Sequence, residues 1–298
     1  MKEINYKLVH EKENSRSIYE NGRGKHDFNL VSYVQERLLY RLSISVYREN
    51  FVLKGNHFLY AMRKANQKII DKIDLLGTHI SNDKQSIKAA FEKICSQACE
   101  KDGVEFDGNR IIAEECNRVI SVQIPATYEG KKEIIQLNTS FGDSVIPKPQ
   151  KIQYPVLSNM QAPVIWAYST ESMVAEKFEE IQSSSIVKNN LKTFYDMHVL
   201  LETQDFDGRI LLEAVFETFQ RKGTIIEKEQ PIFTRAFVED EERAEQWRRL
   251  RCHSEREEEL EFGQVMQQIG NFLTPIYQAI LEENEYFKTW NRKTQTWR

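Results

Sequence analysis

The apolar positions along the chain change period near its middle. From Phe28 to Tyr47 they recur at helical spacing (Leu30, Tyr33, Val34, Leu38, Leu39, Leu42, Val46), which predicts an amphipathic helix. Asn50 breaks the period. Phe51 to Gly55 then predicts a short buried strand ending at a glycine turn, and His57 to Ala65 a helix. Lys68 to Leu76 is β-branched and apolar enough for a core strand, and Ser81 to Cys99 predicts a helix that turns Ile87, Phe91 and Ile94 inward. Strands are expected at 104–106, 111–115, 119–125 and 133–141, separated by polar turns containing Asp107-Gly108 and Glu129-Gly130. The stretch from Gly142 to Pro163 holds four of the seven prolines, which suits an extended surface connection and a domain boundary. Beyond it, 169–182, 191–202, 208–221, 239–250 and 261–283 carry helical periodicity, with few strand signals between them. The expected organisation is a polar N-terminal extension at 1–27, an α/β (α+β) domain at 28–160 and an all-helical domain at 161–298.

Composition narrows this picture. A chain of 298 residues with 40% hydrophobic residues can bury at least one large core. The net charge of -4 and the isoelectric point near 6.0 leave no global basic field, so any polynucleotide partner must use a local patch. No apolar run approaches the roughly 18 residues of a membrane span, and the polar Met1–Gly24 stretch does not resemble a signal peptide, so a cytosolic protein is expected. Four cysteines (Cys95, Cys99, Cys116, Cys252) in a chain this long predict free, mostly buried thiols, and the six histidines lack metal-ligand spacing. No DNA-binding motif, Walker motif or G-x-S-x-G elbow is present.

The remaining chemistry concerns acids and lysines near the first glycine turn. Two acids one residue apart on a strand point to the same face, and such a D-x-D pair can hold magnesium, which prefers hard oxygen ligands. The stretch Leu38 to Gly55, continuing through Leu59-Tyr-Ala61, Ile73-Asp-Leu-Leu-Gly77 and His79-Ile-Ser-Asn-Asp83, resembles the AbiEii/AbiGii toxin family of nucleotidyltransferases. Further matches follow in order at Gly103–Asp107, Phe141-Gly-Asp143, Ala175-Glu-Lys-Phe-Glu179, Phe194-Tyr-Asp196 and Phe206-Asp-Gly208. The resemblance implies a nucleotidyltransferase-like fold with a mixed sheet, and a toxin of a toxin-antitoxin or phage-defence (abortive infection) system. It also implies an enzyme that uses magnesium and a nucleoside triphosphate (NTP) to modify an acceptor such as tRNA, and that is neutralised by a cognate antitoxin.

Carried over position by position, the resemblance assigns nucleotide binding to Lys54, Gly55 and Asn56, with Asn56 standing where the family has a second small residue. It assigns catalytic positions to Asp74, Lys177, Lys192 and Asp196, with Asp74 also the metal ligand. Three positions depart from the pattern. The family reads R-x-T-x-D-I-D-L where this chain reads Lys68 to Leu75, so Lys72 replaces the first acid of the pair; Asp71 lies one position off register and points to the other face unless a bulge intervenes. Asn138 stands at the third acid and Thr193 at the first aspartate of K-D-F-Y-D. The first two changes move the site by about three charge units, and each unit pair at ~4 Å is worth about 4 kcal/mol at an effective dielectric near 20. A lysine in a core strand needs its charge paired, so Lys72 is expected to pair with Asp74 or to project into a polar cleft. Two functions follow: a weakened or inactive nucleotidyltransferase toxin, or a pseudoenzyme that binds nucleotide, RNA or protein without catalysis.

Overall fold

The computed structural model describes residues 29–63, 70–157, 159–183, 191–228, 230–251 and 260–298. The expected N-terminal extension at 1–27 and Cys252 lie outside the described residues. Helix α1 (Leu30–Ile44) begins where the Asn29 side chain accepts the Ser32 N–H, and buries Val34, Leu38, Leu39 and Leu42. Strand β1 (Phe51–Lys54) leads through Gly55 directly into α2 (Gly55–Arg63), two residues earlier than the apolar spacing predicts. Strand β2 (Lys72–Gly77) is followed by α3 (Lys84–Cys95), whose N-cap is Asp83.

The expected core strand from Lys68 is shorter than its apolar run. Lys72 opens it and is exposed, whereas Ile73, Leu75, Leu76 and Gly77 are buried and Asp74 is half-buried, so cover begins only after the first residue of the strand. Strands β3 (Val104–Phe106), β4 (Ile112–Cys116), β5 (Val119–Tyr128) and β6 (Lys131–Phe141) follow as the alternation predicts. The proline-rich stretch is more than a connection. It contains β7 (Gln150–Gln153), which pairs antiparallel with β8 (Val164–Ala167), and β8 lies parallel to β1. The eight strands form one mixed sheet in the order β3-β5-β6-β2-β1-β8-β7, with β4 also pairing to β5.

Helices α4 (Thr170–Ser183), α5 (Leu191–Thr203), α6 (Gly208–Lys222), α7 (Arg235–Val238), α8 (Glu241–Arg251) and α9 (Phe262–Leu281) make up the rest. They are not alone. A small sheet of β9 (Phe206–Asp207), β10 (Thr289–Asn291) and β11 (Thr296–Trp297) closes against α9, where Phe272 stacks on Trp297 with ring centroids 5.2 Å apart. Strands of two or three residues carry too little alternation to register in the sequence, so the C-terminal part is helical but not all-helical. Of the cysteines, Cys95 is buried, Cys99 half-buried and Cys116 exposed, and all three are free. No helix among the described residues is long and apolar enough to cross a membrane.

Candidate functional site

Cross-strand register gathers the chemistry. Lys54 on β1 lies opposite Asp74 on β2, Asp74 beside Asn138 on β6, Asn138 opposite Ser121 on β5, and Ser121 opposite Glu114 on β4. One transverse row of the sheet therefore carries Asp74 and Asn138, two of the positions that the resemblance assigns to acids. Lys72 sits two residues from Asp74 on the same face, beside Gln136. Pairing through β2 is regular and no bulge intervenes, so Asp71 precedes the strand, exposed and outside the site.

Gly55 makes room for this row. Its φ is +65°, in the left-handed region, and a Cβ there would lie 2.7 Å from Asp74 Oδ2 and 3.0 Å from Asp74 Cβ. No other residue fits without moving the carboxylate. Asp74 Oδ1 accepts from Asn138 Nδ2 at 3.2 Å, and Asn138 Oδ1 accepts from Ser121 Oγ at 2.8 Å. Burial holds the Asp74 carboxyl above the usual carboxylate range; the charges of Lys72, Lys54 and Lys177 and the Asn138 hydrogen bond oppose that shift without cancelling it.

The helical part supplies the opposite wall. Lys192 Nζ on α5 donates to Asn56 Oδ1 and Asp196 Oδ2, each at 2.8 Å, and Lys177 Nζ on α4 lies 3.2 Å from the same Asp196 oxygen and 3.6 Å from Glu180. Thr193 is buried and donates to Glu180 Oε1 at 3.1 Å. Lys177 stays protonated: burial pulls its pKa down, but Asp196 and then Glu180 raise it above the ordinary lysine value. The structure thus brings Asn56, Lys177, Lys192, Thr193 and Asp196 together across the Gly55 turn.

Lys54 points elsewhere. Its ammonium is buried between Asp143 Oδ2 and Glu176 Oε1, 2.6 Å from each, and lies 4.9 Å from the Tyr168 ring centroid. The Tyr168 hydroxyl reaches both carboxylates at 3.0 Å, Ser140 Oγ donates to Asp143 at 3.0 Å, and Arg221 on α6 closes on the other Asp143 oxygen. Burial raises the Asp143 pKa, yet Lys54 and Arg221 outweigh it and hold the carboxyl below the usual range. Sequence reasoning missed the roles of Asp143, Glu176, Tyr168, Arg221 and Ser121. Two signals were available: a lysine at the buried end of a strand requires acidic partners, and Asp143 and Glu176 lie in stretches that carry the resemblance.

Lys72 was expected to pair with Asp74 or to face a polar cleft. It forms no ion pair within 4 Å among the described residues and stands exposed at the start of β2, close enough for its charge to be felt at Asp74. Charges around the turn balance: Asp74, Asp143, Glu176, Glu180 and Asp196 face Lys54, Lys72, Lys177, Lys192 and Arg221.

The donor set does not fit magnesium. A hard cation needs several oxygens in near-octahedral array. Of the three positions that the resemblance assigns to acids only Asp74 is a carboxylate, its Oδ1 already accepts a hydrogen bond, the amide beside it turns N–H rather than oxygen toward it, and three lysine charges bear on it. Among the described residues no three His, Cys, Asp or Glu side chains gather as a metal site.

A mixed sheet with helices against one face, and a glycine turn set between an acid row and helix-borne lysines, is the build of a nucleotidyltransferase. The family described as nucleotidyl transferase AbiEii toxin, type IV TA system, matches residues 37–268, and this chain belongs to that family. No curated protein matches. Among solved structures it is similar to JHP933 from Helicobacter pylori (12% identity, 85% of this chain and 92% of that one, TM-score 0.49). It is also similar to an antigenic nucleotidyltransferase-like protein from Paracoccidioides brasiliensis (11%, 64% and 89%, TM-score 0.39). A third is ANT(2″)-Ia in complex with adenylyl-2″-tobramycin (13%, 64% and 98%, TM-score 0.37). The family assignment rests on the family match alone.

Proposed function

We propose that this toxin-family protein holds a nucleoside triphosphate, and an RNA such as tRNA, in the cleft between the sheet and α4–α5, with magnesium-dependent nucleotidyl transfer weakened to the point of a pseudoenzyme. The observation that carries this reading is the Asp74–Asn138 pair: an amide donor occupies the place of a metal-binding carboxylate and consumes an oxygen of the acid that remains. Binding is supported by Gly55, which opens α2 so that its first backbone N–H groups lack intrahelical acceptors, and by Lys177 and Lys192 on the facing wall. A cognate antitoxin is the partner that the type IV toxin-antitoxin description of the family suggests, and we place the pair in the cytoplasm, in abortive infection against phage.

A second reading, a working transferase, is favoured by the convergence of Lys177, Lys192 and Asp196 on the glycine turn, where they would neutralise charge developing on phosphate. A labelled-nucleotide transfer assay with purified tRNA and magnesium separates the two. The unmodified chain is expected to transfer nothing, while Lys72→Asp with Asn138→Asp is expected to gain magnesium-nucleotide affinity by calorimetry. Transfer by the unmodified chain refutes the pseudoenzyme reading.

A further inference from the structure

The two substituted acid positions are equipped in a way that simple decay does not require. An asparagine can present either its oxygen or its amino group to a neighbour, and its hydrogen-bond network decides which. At Asn138 both ends are spoken for: Ser121 Oγ donates to Oδ1 at 2.8 Å, and Nδ2 donates to Asp74 at 3.2 Å. Ser121 is therefore a positioning residue that keeps the amide's donor side toward the cleft. The amino group carries two protons, and the second meets no acceptor among the described residues. Asn138 is half-buried, so its side chain is not sealed from solvent.

Lys72 lies on the same face of the adjacent strand, one register row away, within reach of a lysine side chain, and its ammonium is exposed with no ion pair within 4 Å among the described residues. An unpaired ammonium and an unpaired oriented N–H thus flank the position where metal-binding acids would stand. A carboxylate pair would present oxygens to a cation; this pair presents protons. The matching ligand is an anion with several exposed oxygens.

We propose that Lys72 and Asn138, with Ser121 holding the amide, form a magnesium-independent site for the phosphate chain of a nucleotide. The inference rests on the nucleotide-binding part of the reading above and specifies how the phosphate is held. Transfer to tRNA and binding without magnesium are separate measurements, so either statement can fail alone.

The test is calorimetric titration of the full chain with each of the four ribonucleoside triphosphates, in EDTA and in magnesium. The unmodified chain is expected to bind at least one triphosphate in EDTA no more weakly than in magnesium. Ser121→Ala is expected to weaken binding in EDTA by roughly three- to tenfold, because the amide donor remains and loses only the hydroxyl that orients it. Ser121→Thr, which keeps the hydroxyl, is expected to restore it. Lys72→Asp with Asn138→Asp should invert the metal dependence, binding at least tenfold better with magnesium. Loss of packing alone would lower affinity equally in both buffers and would not invert that ratio. Failure of the unmodified chain to bind any triphosphate in EDTA overturns the proposal, as does unchanged EDTA affinity in Ser121→Ala.

Discussion

Gly55→Ala tests the geometry of the site most directly. The substitution adds one methyl group at φ +65°, where a residue with a Cβ costs about 1–2 kcal/mol. The methyl would also lie 2.7 Å from Asp74 Oδ2 and 3.0 Å from Asp74 Cβ, well inside ordinary contact, so the carboxylate must rotate away. Rotation forfeits the 3.2 Å hydrogen bond from Asn138, worth roughly 1.5–3 kcal/mol for a charged acceptor. The total loss is therefore about 3–5 kcal/mol, a large share of the roughly 5–15 kcal/mol that stabilises a typical domain. In an Asp74→Gly background neither the carboxylate nor its Cβ is present, and only the backbone cost of about 1–2 kcal/mol should remain. The double-mutant cycle is thus expected to show a coupling of about 2–3 kcal/mol between positions 55 and 74. Urea unfolding followed by tryptophan fluorescence, with linear extrapolation, supplies the four stabilities. If the two substitutions add within about 0.5 kcal/mol, Asp74 does not press on Gly55 and the geometry described for the turn is wrong.

Other consequences follow from the buried charges. Lys54→Met leaves Asp143 and Glu176 facing each other without their shared ammonium and should cost about 3–5 kcal/mol in urea unfolding; adding Asp143→Asn and Glu176→Gln should recover part of that loss. Asp74 has a raised folded-state pKa, so its ionisation opposes folding as pH rises through the unfolded value near 3.9 and on to the folded value. Asp74→Asn should accordingly raise the urea midpoint at pH 7, with the gain vanishing below about pH 4; an equal gain at pH 3 would contradict it. His57, buried against Tyr154 with its Nδ1 2.6 Å from the phenol oxygen, has its pKa pushed down to about 3 by burial. Its unfolded form takes a proton below about pH 6.5 while the folded form does not, so stability should fall by up to about 1.4 kcal/mol per pH unit between there and pH 3. His57→Phe should remove that slope from a pH series of unfolding midpoints.

The sequence by itself determined which residues share a face. Strand parity put Lys72 and Asp74 on one face of their strand and Asp71 on the other unless a bulge intervened; Asn138 was set beside them only by the resemblance, and the regular register supplies both the pairing and the absence of a bulge. It also placed Lys177 and the Lys192–Asp196 pair on helices, since i and i+4 must meet. What parity cannot say is how far cover extends along a strand. Lys72 reads as a core-strand lysine in need of a partner, yet it stands exposed at the first residue of β2 while Leu76, on the same face, is buried. Long-range partners were equally hidden: Lys54 meets Asp143 and Glu176 across 89 and 122 residues of chain, and although both acids lie in stretches that carry the resemblance, nothing in the sequence pairs them with Lys54. Ser121 is an ordinary strand serine until register sets it against Asn138. The strand β8 escaped notice because it follows prolines, and β9 to β11 because so few residues cannot show a period. Local pattern fixes orientation within an element. Tertiary structure decides which orientations meet, and at this site that decision sets Ser121, Asn138 and Asp74 in one hydrogen-bonded row and leaves Lys72 beside it without an ion pair among the described residues.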